Sequence, residues 1–210
     1  MSEYLWNVQA RFYGALRANP ISQQILQEEN QALMQLMHKI PKKQIGKLLD
    51  VGAGEGNALG VWNRSGLKCT EIYAVDYSEK MLQRLQKKIP VAKVVRAHAT
   101  HLPFADETFE VILCVGVSEY VQNIALLLKE LARVLGQKGF LLITASTRSW
   151  LNVPRYLYLH PLFLRKESEL LTLFEEMKLS VLSKSETHLQ MQFLLQKETA
   201  LNLPPKASEG

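Results

Sequence analysis

Apolar residues recur along the chain in two rhythms. Between positions 20 and 41 they fall at Leu26, Leu33, Met37 and Ile40, the spacing of one helical face. Asn19-Pro20 supplies a cap followed by proline at the first helical position, and Pro41 stops the run. Trp6, Phe12 and Tyr13 lie on a shorter helical stretch ahead of it, so residues 1–45 read as a helical prelude. From Lys47 onward the rhythm changes to short apolar runs separated by helical segments, the signature of βαβ units and a mainly parallel sheet. Strands are expected at 47–51, 72–76, 94–97, 111–115 and 140–145, and helices at 58–64, 78–87 and 124–135. Gly136, just past the last of these, is suited to a left-handed position that ends the helix. A further helix at 166–177 and two closing strands at 179–184 and 190–196 complete the pattern. The expected fold class is α/β: a Rossmann-like, seven-stranded, mainly parallel sheet with helices on both faces and its last strand antiparallel. The main domain spans 46–200, with an aromatic-rich insertion near 148–165, and the tail 201–210 with its Pro204-Pro205 pair reads as disordered.

Composition narrows the class without changing it. With 210 residues, 47% of them hydrophobic and 21% charged, the chain suits one globular domain and neither a disordered nor a fibrous architecture. Its two cysteines, Cys69 and Cys114, form neither a disulfide framework nor a zinc-type spacing, so no metal is expected and a reducing cytoplasmic setting fits. The first residues lack a basic segment followed by an apolar one, and no run approaches a membrane span, so neither export nor integral membrane association is expected. The net charge of +5 comes from scattered lysines and arginines. The densest groups, Lys42-Lys43 with Lys47 and Lys87-Lys88 with Lys93 and Arg96, have no interleaved aromatics, which suits a solvated surface better than a nucleic-acid footprint.

Candidate chemistry begins at Leu48-Leu49-Asp50-Val51-Gly52-Ala53-Gly54-Glu55-Gly56-Asn57, a buried strand running into three alternate glycines and then a helix. Glycine lets the backbone turn tightly or approach a ligand with no Cβ in the way, and such a loop facing a helix N-terminus forms the ligand crevice of doubly wound sheets. The next strand, Ile72-Tyr73-Ala74-Val75-Asp76, ends in a carboxylate. That group either accepts hydrogen bonds from both hydroxyls of a ribose or caps the helix entered at Ser78. Dinucleotides and S-adenosylmethionine both use this arrangement. The dinucleotide fingerprint is GxGxxG, whereas the third glycine here comes one residue earlier, favouring a cofactor without a pyrophosphate. Asp50 and Glu55 place acids beside the loop, compatible with a cationic sulfonium and an ammonium; Asp50 could equally hold the loop through its backbone.

In these motifs the sequence resembles the class I methyltransferases, particularly the group that includes ubiquinone and menaquinone methyltransferases. The resemblance covers Lys47 to about Thr147, with successive motifs matching Asp50 to Gly56, Val75-Asp76 with Ser78-Glu79-Lys80-Met81-Leu82, Ala97 to Phe104, Phe109 to Val121, and Leu131 to Ile143. It implies S-adenosylmethionine as cofactor. Gly52, Ala53 and Gly54 would pass under its methionine and ribose portions, Asp76 would hold the ribose, and Tyr77 would pack on adenine. The backbone N–H of Ala99 and the side chain of residue 98 would meet the adenine edge, with Val115 and Gly116 lining the sulfonium. The chain departs from the family where Asp or Asn usually accepts from the adenine amino group: His98 stands there, with Thr100 where an acid often follows. A neutral imidazole nitrogen can accept that bond and a protonated one cannot.

The acceptor side is expected after the fourth strand, at Gly116, Ser118, Glu119 and Tyr120, where the family often reads Leu-Glu-His-Val and this chain has Ser118-Glu119-Tyr120-Val121. Methyl transfer from a sulfonium is a displacement in which positioning can carry most of the catalysis. If the acceptor needs a base, Tyr120, His101 and His160 are the titratable candidates, Tyr120 and His160 foremost. In relatives the prelude, here with Tyr4, Trp6, Phe12 and Tyr13, often folds over the cofactor as a lid. The segment 150–163, with Tyr156, Tyr158, His160 and Phe163 beside Arg148, Arg155 and Arg165, either forms a pocket for a lipophilic or aromatic acceptor bearing negative charge or simply covers the sheet. The expected function is methyl transfer to a small molecule, and the expected partner is that acceptor, with no nucleic acid expected. The rival readings are a non-catalytic cofactor-binding module, a nicotinamide oxidoreductase, and an RNA or protein methyltransferase.

Overall fold

The computed structural model describes residues 20–41, 44–147 and 162–199. The prelude ahead of Pro20, most of the aromatic-rich insertion, including His160, and the tail from 200 lie outside the described residues. In chain order the elements are α1 (Pro20–Met37), β1 (Ile45–Val51), α2 (Asn57–Ser65), β2 (Cys69–Asp76), α3 (Glu79–Lys88), β3 (Ala92–Arg96), β4 (Phe109–Cys114), a 3₁₀ turn (Ser118–Tyr120), α4 (Ile124–Val134), β5 (Leu135–Ser146), α5 (Glu167–Glu176), β6 (Leu179–Glu186) and β7 (Gln190–Lys197).

The strands form one sheet in the order β3-β2-β1-β4-β5-β7-β6. β1 to β5 pair in parallel, and β7 inserts antiparallel between β5 and β6. The chain turns from one half of the sheet to the other between β1 and β4, which opens a crevice at their carboxyl ends. Strand parity assigns the two faces. Leu49, Val51, Ile112, Cys114, Leu141 and Ile143 pack with Leu127, Leu128 and Leu131 of α4 and Phe174 of α5. Their neighbours Leu48, Val111, Leu113 and Leu142 pack with Leu33 and Leu36 of α1, Trp62 of α2 and Leu85 of α3. Burial on both faces is why these strands read as continuous apolar runs rather than as alternation. No helix among the described residues is long and apolar enough to cross a membrane.

The main departure from expectation is at the end of α4. Its final residue runs directly into β5, with Leu135 extended at φ −76° and ψ 128°, and Gly136 lies inside the strand rather than in a left-handed cap. Leu135 pairs with Phe109 across β4 and β5, and this long-range pairing overrides the local cap preference. Glycine serves another purpose there: a Cβ on residue 136 would lie 3.3 Å from the carbonyl oxygen of Phe109 and 3.5 Å from that of Glu107. Lys138, two residues on, takes the positive φ of 58° instead.

Candidate active site

The glycine loop is held by the end of β2. The amide of Ala53 donates to the carbonyl of Val75 at 2.9 Å, and the amide of Gly54 donates to Oδ2 of Asp76 at 2.9 Å. The other carboxylate oxygen, Oδ1, accepts from the amide of Ser78 at 2.8 Å, while the Ser78 hydroxyl caps α3 by accepting from the amide of Met81. Asp76 therefore closes the loop and fastens the start of α3. Burial raises its carboxyl above the usual range, opposed by the amides of Ser78, Gly54 and Tyr77.

Gly52, Gly54 and Gly56 all have positive φ, at 66°, 53° and 85°. Their surroundings differ in a way that matters for function. A Cβ on Gly52 would fall 2.3 Å from Cγ2 of Val117, and one on Gly56 would meet Ile89 and Leu85. A Cβ on Gly54 or on Gly116, which also has positive φ at 71°, would have no atom of the described residues within 4 Å. Bare backbone thus faces open space at the ends of both β1 and β4, a surface a ligand can approach closely.

Asp50, one residue from the end of β1, is 1% exposed, and its Oδ2 has no hydrogen-bond partner among the described residues. Burial, reinforced by the nearby Asp76, holds its carboxyl well above the ordinary range. Glu55 is committed elsewhere: it pairs with Lys88 Nζ at 2.6 Å and Arg84 Nη1 at 2.8 Å on α3. The Lys88 bond is the main reason its carboxyl lies below the usual range. Of the two acids flanking the loop, Asp50 has no such counter-charge among the described residues.

Beside β2, Tyr77 and His98 meet edge to face, with ring centroids 6.0 Å apart and planes at 80°, and the Arg96 guanidinium lies over the Tyr77 ring. Residues 98–101 form a tight turn in which the amide of His101 donates to the carbonyl of His98. Thr100 sits between the two imidazoles, its Oγ1 2.8 Å from Nδ1 of His98 and 2.9 Å from Nδ1 of His101.

These features fall within a segment that matches a known family. Residues 49–143 match the family described as methyltransferase domain. Over 122 residues the chain is 28% identical to the ubiquinone/menaquinone biosynthesis C-methyltransferase UbiE of Campylobacter jejuni, covering 56% of this chain and 51% of that protein. Over 97 residues it is 32% identical to the malonyl-[acyl-carrier protein] O-methyltransferase of Halorhodospira halophila, covering 44% and 32% respectively. A crystal structure of a SAM-dependent methyltransferase from Thermotoga maritima superposes with a TM-score of 0.69 at 18% identity, over 92% of this chain and all of that one. One from Aquifex aeolicus gives 0.62 at 20% identity, over 78% and 88%. The chain is thus similar to class I methyltransferases over residues 49–143. It spans about half the length of the Campylobacter relative and a third of the Halorhodospira one.

In this domain the segment after β4 is ordered in part by Thr144 and Ser146, which sequence reading passed over. Thr144, wholly buried on β5, accepts from the amide of Gly116 through Oγ1 at 2.8 Å, and its carbonyl accepts from the Ser118 hydroxyl at 2.7 Å. Ser146 donates to Oε1 of the buried Glu119, whose carbonyl accepts from the amide of Phe163. The signal was present in the sequence: Thr144 and Ser146 interrupt an otherwise apolar strand. Val115 lies just past β4 rather than inside it, half-buried, and Tyr120 closes the 3₁₀ turn, also half-buried. Arg165 is less available to an acceptor than its position suggested. Its Nη2 donates to the carbonyls of Val121 at 2.6 Å and Gln122 at 2.9 Å, fastening the segment before α4.

Proposed function

We propose that the chain catalyses S-adenosylmethionine-dependent methyl transfer to a small acceptor, binding the cofactor in the crevice between the ends of β1, β2 and β4. The observation that carries this reading is the closure of the Asp76 carboxylate onto the Gly54 amide beside glycine backbone that faces open space. The residues present fit such a ligand. The Gly54 and Gly116 faces leave room for close backbone approach, Asp76 retains lone pairs for ribose hydroxyls, and Asp50 is a buried acid with an oxygen lacking a partner.

In this reading Gly52, Ala53 and Gly54 pass beneath the methionine and ribose portions, Asp76 holds the ribose, and Tyr77 packs on the base. His98, the Ala99 amide and Thr100 border the base, while Val115 and Gly116 line the reacting end. Asp50 balances positive charge near the loop. Bound there, the cofactor supplies a methyl group already activated for displacement, so the contribution required of the protein is alignment and exclusion of water. Thr144 holds Gly116 in place for that alignment. Tyr120 borders the acceptor and, with His160, is the candidate for proton removal. A lipophilic ring as acceptor agrees with the aromatic residues of 150–163, with the prelude serving as lid, and with the naming of the Campylobacter relative for ubiquinone and menaquinone biosynthesis.

The test is calorimetry with S-adenosylhomocysteine, followed by incubation of the protein and cell extract with isotopically labelled donor and mass spectrometry of whatever gains label. Micromolar binding and a labelled small molecule are expected. Absence of binding overturns the proposal, and binding without any labelled product overturns its catalytic part.

A further inference from the structure

The hydrogen bonds around Thr100 fix which nitrogen of His98 carries a proton. The Thr100 amide donates to Nδ1 of His98 at 3.3 Å, and a backbone amide can only donate, so that nitrogen presents its lone pair. The Thr100 hydroxyl, 2.8 Å from the same nitrogen, must then donate to it. Having spent its proton, the hydroxyl accepts through Oγ1 from His101, whose Nδ1 lies 2.9 Å away and carries the hydrogen. A proton on Nδ1 of His98 would instead face the amide hydrogen of Thr100. The network therefore assigns His98 the Nε2–H tautomer, leaving no acceptor nitrogen on its exposed side. Burial and the neighbouring His101 also hold His98 below the usual histidine range, which keeps the ring neutral at physiological pH.

This turn follows β3, the strand next to β2 on the side away from β1. A nucleoside whose ribose sits at Asp76 has the corner between the Tyr77 and His98 rings beside it for its base. Resting on the reading that the crevice binds S-adenosylmethionine, we propose that His98 is a specificity-determining residue that offers the base a hydrogen-bond donor rather than an acceptor. The base is then held through an acceptor atom on its edge, and its exocyclic amino group contributes nothing at this position. Replacing that amino group by hydrogen, as in unsubstituted purine, keeps the ring nitrogens as acceptors for Nε2–H and should cost little.

The experiment compares S-adenosylhomocysteine with its purine riboside analogue, which lacks the 6-amino group, by calorimetry on the full chain, alongside long-range ¹H–¹⁵N NMR of the histidine rings. The expected result is affinities within about threefold of each other. The spectrum should show His98 protonated at Nε2 and bare at Nδ1. His98→Asp, which offers an acceptor to the amino group instead, is expected to retain S-adenosylhomocysteine binding and to disfavour the purine ligand by about tenfold or more. Preference of the wild-type protein for the adenosyl ligand by more than tenfold overturns the inference alone, as does an Nδ1–H tautomer at His98. Binding of neither ligand overturns it together with the proposed function.

Discussion

The amide of Gly54 and the carboxylate of Asp76 meet at 2.9 Å, joining the loop after β1 to the tip of β2 across 22 residues of chain. Parallel pairing of Val51 with Val75 brings the two strand ends level, so a carboxylate at the next position of β2 reaches the loop without distortion. The contact orders the crevice and holds a partly buried acid where a nucleoside's hydroxyls would need it.

Replacing Asp76 tests both duties. Asp76→Ala removes the acceptor for the amides of Gly54 and Ser78, each a charge-assisted bond of about 1.5–3 kcal/mol. The expected outcome is lower thermal stability and a fall in S-adenosylhomocysteine affinity on the order of 100-fold. Asp76→Asn, which keeps one acceptor oxygen, should recover part of the stability and little of the affinity; calorimetry and thermal melts together separate the two effects.

Two glycines of one loop should respond oppositely. Gly52→Ala places a Cβ 2.3 Å from Val117, in addition to the left-handed cost of roughly 1–2 kcal/mol, and should destabilise the fold markedly. Gly54→Ala incurs only that left-handed cost, because no atom of the described residues lies within 4 Å. It should fold and melt close to wild type while binding S-adenosylhomocysteine at least tenfold more weakly. Similar melting of the two variants would contradict the packing described above.

Asp50 should weaken the folded state at neutral and higher pH. Its folded carboxyl titrates above its unfolded value, so its contribution to stability is fully present below the unfolded value and is lost as pH rises through the folded one. Asp50→Asn is therefore expected to melt higher than wild type at pH 8, with the advantage shrinking towards pH 4, and to bind the cationic donor less well. Proton release on ligand binding, read from the buffer dependence of the calorimetric enthalpy at mildly acidic pH, should disappear in the same variant.

Thr144→Val preserves shape but removes the acceptor for the Gly116 amide, a loss of about 1–3 kcal/mol for a group left without its bond. If Thr144 aligns the reacting end, kcat should fall more than KM rises, and Thr144→Ser should restore it. Equal stability loss in the Val and Ser variants, with unchanged kinetics, would leave Thr144 a packing residue only.

Much of the sheet was legible in the chain because burial on both faces writes itself as uninterrupted apolar runs, seen at Leu48-Leu49 and Phe140-Leu141-Leu142-Ile143. The loop and its acid were legible because glycine at alternate positions and an acid at a strand tip each have few other local uses. The cap expected at Gly136 failed because helix-end rules weigh only neighbours in sequence, whereas Leu135 was claimed by Phe109 on another strand. Thr144 was passed over because a hydroxyl in an apolar strand signals a partner without saying which one.

From the sequence alone came the order of elements, the apolar face of α1 and the glycine loop, because these depend on spacing along the chain. Tertiary structure decided that Glu55 belongs to Arg84 and Lys88, that Asp50 has no such cation among the described residues, and that a strand pair rather than a cap ends α4. The same holds for Gly54 facing open space while Gly52 lies against Val117. Such assignments depend on which distant groups fold within 3 Å or so of one another, and hydrogen bonds of that range are too short and too directional to be read from the spacing of residues along one chain.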